Sequence, residues 1–194
     1  MKYLLDLIKN HAALRIYSKR TISDGKIKKI IEAGIWSSSI HGFQPWEFVA
    51  LKNKKKIGII AKYVLRASES VGRGANFLLK STAKTIENAP LIILIFNNQK
   101  FSTFSRKYFI MDKKYFNIAD VSEKEAIGAA IQNMLLMADT LGVGNCWTIT
   151  PLFCEDEIKR LVNNNNQLLA ILTFGYAKDS IKRSRRTAKY AIIK

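Results

Sequence analysis

The spacing of hydrophobic and polar residues along the chain predicts several helices and a few strands. Apolar residues recur at helical intervals in six stretches, at residues 4–8, 23–35, 55–64, 66–88, 122–141 and 155–162. Short runs that suit a pleated, half-buried surface predict strands at residues 47–51, 91–96, 146–150 and 168–174. This mixture indicates an α+β or an α/β fold and does not separate the two classes.

Polar residues predict where two of these helices begin. Ser23 is a suitable N-cap for a helix that places four isoleucines on one face, namely Ile27, Ile30, Ile31 and Ile35. Residues 122–125 read Ser-Glu-Lys-Glu, a capping box, which predicts that the longest helix begins there and ends at Leu141 before Gly142. Its apolar positions predict a wide buried face made of Ile127, Ala130, Ile131, Met134, Leu135, Ala138 and Leu141.

Length and composition predict one domain over residues 1–194. A chain of 194 residues that is 48% hydrophobic can bury one sizeable core, and no change in composition marks a second domain. Residues 3–9 are too short and too charged for a secretory signal. The longest apolar run, at residues 91–96, is far too short to span a bilayer, so we expect a cytoplasmic protein without a membrane partner.

The two cysteines and the net charge narrow the classes of partner. Cys146 and Cys154 lie outside any CxxC or metal-binding spacing, which favours buried free thiols over a disulfide or a metal site. A net charge of +17 suits nucleic acid, an anionic membrane or an anionic cofactor. The basic residues are spread through the chain and no nucleic-acid-binding motif accompanies them, so we expect no nucleic acid partner.

The tripeptide Gln44-Pro45-Trp46 follows a serine run at residues 37–39 and leads into a predicted strand. Pro45 fixes its own φ and keeps Gln44 out of helical geometry, so the chain turns or extends there. A serine-rich loop held in this way can present hydroxyl and backbone N–H groups to a planar polar ligand. Taken alone, the tripeptide could equally be a structural corner.

A second motif lies about ninety residues downstream, where residues 132–144 read QNMLLMADTLGVG. Together with the QPW loop, it resembles the nitroreductase family of FMN-dependent oxidoreductases over nearly the whole chain. The resemblance implies an α+β fold with a central, mostly antiparallel sheet flanked by helices. It also implies a homodimer with two FMN sites at the subunit interface, in which residues 177–194 form an arm lying on the partner.

The N-terminal motif of the family reads approximately Arg-Arg-Ser-x-Arg-x-Phe/Tyr, and residues 11–17 correspond to it. Arg15 and Tyr17 match, while His11 replaces an arginine and alanines at 12 and 13 remove polar groups. The resemblance implies that Arg15 faces the N1/O2 edge of the flavin and stabilises its reduced anion. His11 could bond the flavin phosphate, or it could be a structural histidine at a helix end.

Around the QPW tripeptide the family typically reads Pro-Ser-x-x-Asn-x-Gln-Pro-Trp, and residues 38–46 correspond to it. Ser38 replaces the proline and a glycine replaces the asparagine. The resemblance implies that Ser38, Ser39 and Gln44 contact the flavin and that Ile40 and His41 line the substrate side. His41 could equally be an ordinary exposed loop histidine.

Two further segments could each have either a functional role or a purely structural one. Arg183 and Arg185 alternate on an extended segment and therefore point to the same side, where the family carries its phosphate-binding basic pair; the alternative is a basic tail without a ligand. Residues 98–121 are rich in aromatic residues and could form a lid over the flavin or an extra packing layer.

The resemblance implies an FMN-dependent NAD(P)H oxidoreductase. Hydride would pass from NADH or NADPH to flavin N5 and then to a small-molecule acceptor such as a nitroaromatic or a quinone. The cofactor carries this chemistry, so we expect neither a catalytic side chain nor a metal. Three alternatives stay open: a family member with one dedicated metabolite, a flavin-binding protein without redox turnover, and a basic nucleic-acid-binding protein.

Overall fold

The strand β2 (Leu91–Asn97) lies at the centre of the computed structural model, which describes residues 2–109 and 113–178. All seven of its residues are buried because helices cover both faces of the sheet. Leu91, Ile93 and Ile95 face one helical layer, and the alternate residues face the other. A continuous apolar run is what a strand buried on both faces requires.

The four strands of the sheet lie in the order β1-β2-β4-β3, and every neighbouring pair is antiparallel. The other three are β1 (Trp46–Leu51), β3 (Gly144–Thr148) and β4 (Gln167–Gly175). One row of register partners crosses the whole sheet through Val49, Leu94, Ile171 and Thr148. This confirms the predicted α+β fold with a central antiparallel sheet.

Seven α-helices of the described residues flank the sheet: α1 (Lys2–Asn10), α2 (Asp24–Ile35), α3 (Lys54–Ala67), α4 (Arg73–Asn88), α5 (Lys100–Tyr108), α6 (Lys113–Thr140) and α7 (Glu155–Val162). Helices α2 and α6 contribute to the core on one face of the sheet, and α3, α4 and α7 to the core on the other. Helix α5 packs against α6. None of the described helices is long and apolar enough to cross a membrane.

The start predicted for the longest helix is wrong. Helix α6 begins at Lys113, nine residues before the expected Ser122, and the supposed capping box lies inside it. Glu123 is fully buried and accepts hydrogen bonds from the start of α5, including the backbone N–H groups of Phe101 and Ser102 at 2.9 Å each. Glu123, which lies between the Ser and the Glu of the supposed box, therefore caps a neighbouring helix, while Glu125, the glutamate of the box itself, is exposed. The predicted buried face is confirmed from Ile127 to Ala138.

Two smaller expectations need correction. Ile35 is 44% exposed, because α2 ends there and turns its last residue away from the core, whereas Ile27 and Ile30 are buried as predicted. Strand β3 covers residues 144–148, two residues earlier than predicted, because it pairs with β4 up to Gly175. Ser23 occupies the N-cap position of α2, although its side chain makes no capping hydrogen bond. Cys146 and Cys154 are buried and free.

Candidate functional site

Residues 14–18 form an extended segment that pairs with one corner of the sheet. The N–H of Leu14 donates to the carbonyl of Asn145 on β3 at 2.7 Å, and the N–H of Ser18 donates to the carbonyl of Tyr176 at 2.8 Å. Tyr17 forms an antiparallel bridge with Ala177. These bonds fix the backbone on both sides of Arg15 against the ends of β3 and β4.

Glycine makes the close approach of this segment possible. A Cβ atom at Gly175 would lie 2.6 Å from Cδ1 of Tyr17 and 2.8 Å from Cδ of Pro90. The Tyr17 hydroxyl donates to the carbonyl of Leu14 at 2.6 Å and contacts Oγ1 of Thr173 at 2.6 Å. Burial raises the pKa of Tyr17 above its ordinary range, so this hydroxyl remains protonated as a donor.

The side chains of His11 and Asp139 join the end of α1 to the end of α6, and we call this pair the anchor. Nδ1 of His11 lies 2.7 Å from Oδ2 of Asp139, and the two side chains are only 15% and 19% exposed. Nδ2 of Asn145 donates to the other oxygen of Asp139 at 2.8 Å and to the carbonyl of Leu135 at 3.2 Å. His11 is thus held by an acidic partner, which supports its structural interpretation and leaves Nε2 as its remaining polar atom.

A cavity of about 440 Å³ lies beside this anchor. It is lined by residues of α1, the following segment, α6 and β3, namely Ile8, His11, Ala13, Gln132, Leu135, Leu136, Asn145, Cys146 and Trp147. Asn145 is fully buried, and its Oδ1 has no hydrogen-bond partner among the described residues. Because the Asn145 amide nitrogen already donates to two acceptors, the orphaned atom is an acceptor, and a group of this kind indicates a missing donor.

Arg15 adds a positive charge near this cavity. Its side chain is exposed, yet its charge acts on the buried thiol of Cys146. Burial raises the pKa of that thiol, and the guanidinium of Arg15 opposes the rise. At this corner of the sheet a histidine and an orphaned amide oxygen line the cavity, and the charge of Arg15 acts on Cys146, another lining residue.

The QPW loop forms a second group of candidate residues. Oγ of Ser39 accepts a hydrogen bond from the N–H of Gln44 at 3.3 Å, and Asn98 bonds the carbonyls of Gln44 and Pro45. Gln44 has a φ of 47°, so the residue before the proline turns sharply, as predicted. Ser38 is exposed and Ser39 is half-buried, so hydroxyl groups reach the surface here.

Of the two residues expected on the substrate side, His41 lies beside an aromatic ring of α5. His41 is exposed with a φ of 45°, and its ring centroid lies 5.9 Å from that of Phe101. Ile40 is half-buried. The Phe43 ring lies 5.1 Å from Phe101 and 5.3 Å from Phe104. We call His41, Phe43, Phe101 and Phe104 the aromatic wall.

The two groups lie near different levels of α6 within one chain. The QPW loop packs on Phe101, whose N–H is bonded to Glu123, whereas His11 is bonded to Asp139. At about 1.5 Å of rise per residue, the stretch of helix between Glu123 and Asp139 is about 24 Å long. The structure places His11 in the lining of the cavity and Arg15 close enough to act on Cys146 there, whereas Ser39, Gln44, Ile40 and His41 lie in another region. Arg183 and Arg185 lie outside the described residues.

Sequence reasoning missed one polar residue that lines the cavity, Asn145, and the carboxylate bonded to it, Asp139. Neither residue was a candidate, nor was Gln132, which also lines the cavity. The sequence did contain a hint of Asp139 and Asn145. This carboxylate and this amide lie on either side of Gly142, where the helix ends, among apolar residues. Their partner His11 is 128 positions away from Asp139, so nothing local in the sequence connects them.

The fold is that of a group of solved flavoproteins and oxidoreductases. A BluB-like flavoprotein from Clostridium difficile superposes with a TM-score of 0.79 at 22% identity and covers 98% of this chain and 99% of its own. A provisionally named nitroreductase from Desulfovibrio desulfuricans, solved in complex with FMN, has a TM-score of 0.74 at 22% identity and covers 98% and 95%.

Sequence comparison identifies the family, which the fold comparison alone does not. The model of the nitroreductase family matches residues 8–176, so the chain belongs to the nitroreductase family. An Archaeoglobus fulgidus protein provisionally named NADH dehydrogenase/NAD(P)H nitroreductase is 25% identical over 185 residues, which span 92% of this chain and 88% of that protein. The Bacillus subtilis protein YfkO, provisionally named NAD(P)H nitroreductase, is 24% identical and covers 95% and 92%.

Proposed function

We propose that the protein is an FMN-dependent NAD(P)H oxidoreductase that acts as a homodimer with two flavin sites, each built from both chains. One observation carries the proposal: in a single chain the ring that packs on the QPW loop is attached to α6 at Glu123 and His11 is attached at Asp139, and these two points are about 24 Å apart along the helix. A second chain, placed about a twofold axis, can bring the QPW loop of one subunit to the Arg15 corner of the other.

The residues at the Arg15 corner suit a flavin. The Oδ1 atom of Asn145 lacks a hydrogen-bond donor, and FMN has donors in its ribityl hydroxyls and a ring N–H. Reduced isoalloxazine carries negative charge near N1 and O2, which the guanidinium of Arg15 would stabilise. Ala12 and Ala13 offer no polar side chains, so His11 and Asn145 are the polar groups that replace the family's basic and hydroxyl residues.

Each group of residues then has a defined task. The bond between His11 and Asp139 holds the backbone that presents Arg15. Ser38, Ser39 and Gln44 of the other chain supply hydroxyl and amide contacts, while Ile40 and His41 line the substrate side. Arg183 and Arg185 would hold the phosphate through their guanidinium forks.

The bound flavin would supply the redox chemistry, taking hydride from NADH or NADPH and passing it to an acceptor such as a nitroaromatic or a quinone. The chain itself binds, orients and shields the reacting groups, and no side-chain nucleophile is assigned. The aromatic wall favours a planar acceptor because aromatic rings stack or meet edge to face. Residues 98–121, proposed from sequence as a lid, contribute Phe101 and Phe104 to that wall.

Absorbance of the purified protein tests the proposal. A preparation supplied with FMN should retain a flavin spectrum after gel filtration, and anaerobic NADH or NADPH should bleach it. Reoxidation by a quinone or a nitroaromatic should restore the spectrum. A protein that binds no FMN would refute the proposal, and bound flavin that neither nicotinamide reduces would favour the alternative of flavin binding without turnover.

A further inference from the structure

We propose that Glu123 is a positioning residue that sets the acceptor preference of the site by fixing α5 and, through it, the aromatic wall. The inference rests on the proposed function only for the identity of the acceptor. Glu123 is fully buried in the middle of α6, and no motif of the family singled it out.

The surroundings of Glu123 consist of hydrogen-bond donors. Oε1 accepts from the N–H groups of Phe101 and Ser102 at 2.9 Å each. Oε2 accepts from Oγ of Ser102 at 2.6 Å and from Nδ2 of Asn97 at 3.0 Å. Four donors around two oxygens match the acceptor capacity of a carboxylate. The carboxylate also lies at the N-terminus of α5, where a helix favours negative charge.

Nearby residues cap the start of α5 only in part, since the N–H of Lys100 donates to Oδ1 of Asn98 at 3.1 Å. Gln99 occupies the N-cap position with a φ of 53°, and its side chain makes no capping hydrogen bond. Its backbone N–H instead bonds Oδ1 of Asn97, which fixes the orientation of the Asn97 amide and directs Nδ2 towards Glu123. The carboxylate of Glu123 therefore satisfies the second and third N–H groups of α5 and links this helix to α6 and β2.

Helix α5 in turn determines the aromatic wall. Phe101 is the first residue bonded to Glu123, and its ring contacts both His41 and Phe43. Phe104, one turn later, contacts Phe43 and lies 4.6 Å from the Tyr108 ring centroid at a tilt of 41°, while remaining 39% exposed. A shift of α5 would therefore move the rings beside the QPW loop and leave the Arg15 corner unchanged.

The substitution Glu123→Gln changes this arrangement with little change in volume. The amide keeps one oxygen for two of the four donors and places an NH₂ group against the other two. Ser102 can rotate its hydroxyl to accept, but Asn97 cannot flip without losing its bond to Gln99. Two buried donors then face each other with no acceptor between them. This lowers the free energy of unfolding by more than the loss of an ordinary hydrogen bond.

Steady-state kinetics of the flavin-loaded protein test the inference with two acceptors. For 1,4-naphthoquinone, which needs the wall, Glu123→Gln should raise KM about tenfold with kcat largely kept, as expected for a lost buried polar contact. For ferricyanide, which takes electrons without stacking, kcat/KM should stay within about twofold. The exposed Glu125, two residues on, supplies the control Glu125→Gln with the same charge change. FMN affinity should equal that of wild type in both variants.

Hydrogen exchange separates positioning from catalysis. In the protein without added acceptor, Glu123→Gln should speed exchange of amides 100–108 and spare those of β2 and β4. Equal kinetics and exchange in the Glu123 and Glu125 variants would overturn the inference, as would equal losses for both acceptors. If Glu123→Gln fails to fold, Ser102→Ala, which removes only the Oε2–hydroxyl bond, takes its place under the same criteria. If the wild-type protein reduces neither acceptor, the proposed function is wrong. Hydrogen exchange of amides 100–108 would still test whether Glu123 positions α5.

Discussion

The bond between His11 and Asp139 predicts a measurable coupling in the free energy of unfolding. The two atoms are 2.7 Å apart and the side chains are 15% and 19% exposed, so water screens the pair only in part. A hydrogen bond that involves a charged group contributes roughly 1.5–3 kcal/mol. Because the pair is not fully buried, we take the lower end and expect a coupling of about 1.5 kcal/mol.

A double-mutant cycle isolates this term. Asp139→Ala should cost about 3 kcal/mol, since it also removes one of the two acceptors of Asn145 Nδ2, and His11→Ala about half as much. The double variant should be little worse than Asp139→Ala alone. Urea unfolding followed by tryptophan fluorescence gives these values, at one fixed protein concentration because association shifts apparent stability.

The same helix offers a matched control. Asp120 and Lys124 form an ion pair at 2.6 Å, one turn apart, but their side chains are 37% and 44% exposed. Exposed pairs of this spacing contribute about 0.3–0.5 kcal/mol. If the His11–Asp139 coupling is no larger than that of this pair, burial does not strengthen the anchor and our account of the N-terminal segment is wrong.

Four further predictions address the flavin, the dimer and a thiol. Arg15→Ala should make the two-electron potential of bound FMN more negative by about 30 mV, which corresponds to roughly 1.4 kcal/mol; coinciding potentials with FMN still bound would place Arg15 elsewhere. Replacing Arg183 and Arg185 by Ala should weaken FMN more than riboflavin, and equal losses in a titration would contradict phosphate binding. Deleting residues 179–194 should release monomer in light scattering, whereas an equally stable dimer would count against the exchanged arm. Burial raises the pKa of Cys154 to about 12 from its ordinary 9.0, so the folded protein should not react at Cys154 with a thiol reagent at pH 8, and this thiol's contribution to stability should fade as pH rises from 9 towards 12.

Local signals predicted most of the fold. Helix α7 has the bounds that its pattern predicted, Glu155–Val162, because its acidic start and basic end both favour a helix. Strand β2 was recognisable from its unbroken apolar run. In both elements, the residues that decide the structure are neighbours in sequence, so a pattern of a few residues contains the required information.

The start of α6 could not be predicted in this way. The partners of Glu123 lie 21 to 26 positions earlier in the chain, and their bonds form only when α5 and β2 are packed. The glutamate of the Ser-x-x-Glu pattern is Glu125, which is exposed inside α6, whereas the residue that caps α5 is Glu123, between the Ser and that Glu. The match to a capping box was therefore coincidental, and no local pattern indicated the role of Glu123.

In the candidate site, too, some residues were predictable from local patterns and others were not. Family motifs selected Arg15, Ser39 and Gln44, while the residues that hold Arg15 in place were not foreseeable from the chain. His11 and Asp139 pair across 128 positions. Whether a residue lines a cavity, and which chain completes that cavity, depends on tertiary and quaternary geometry that no linear motif contains.

The separation of the two groups along α6 has a genetic consequence. In a homodimer of the proposed kind, a chain altered only at Arg15 and a chain altered only at Ser39 would combine into a mixed dimer. One of its sites would contain both alterations, and the other would contain neither. Two alleles that each abolish activity, one through the Arg15 corner and the other through the QPW loop, should therefore complement each other in one cell, whereas two alleles altered at the same corner should not.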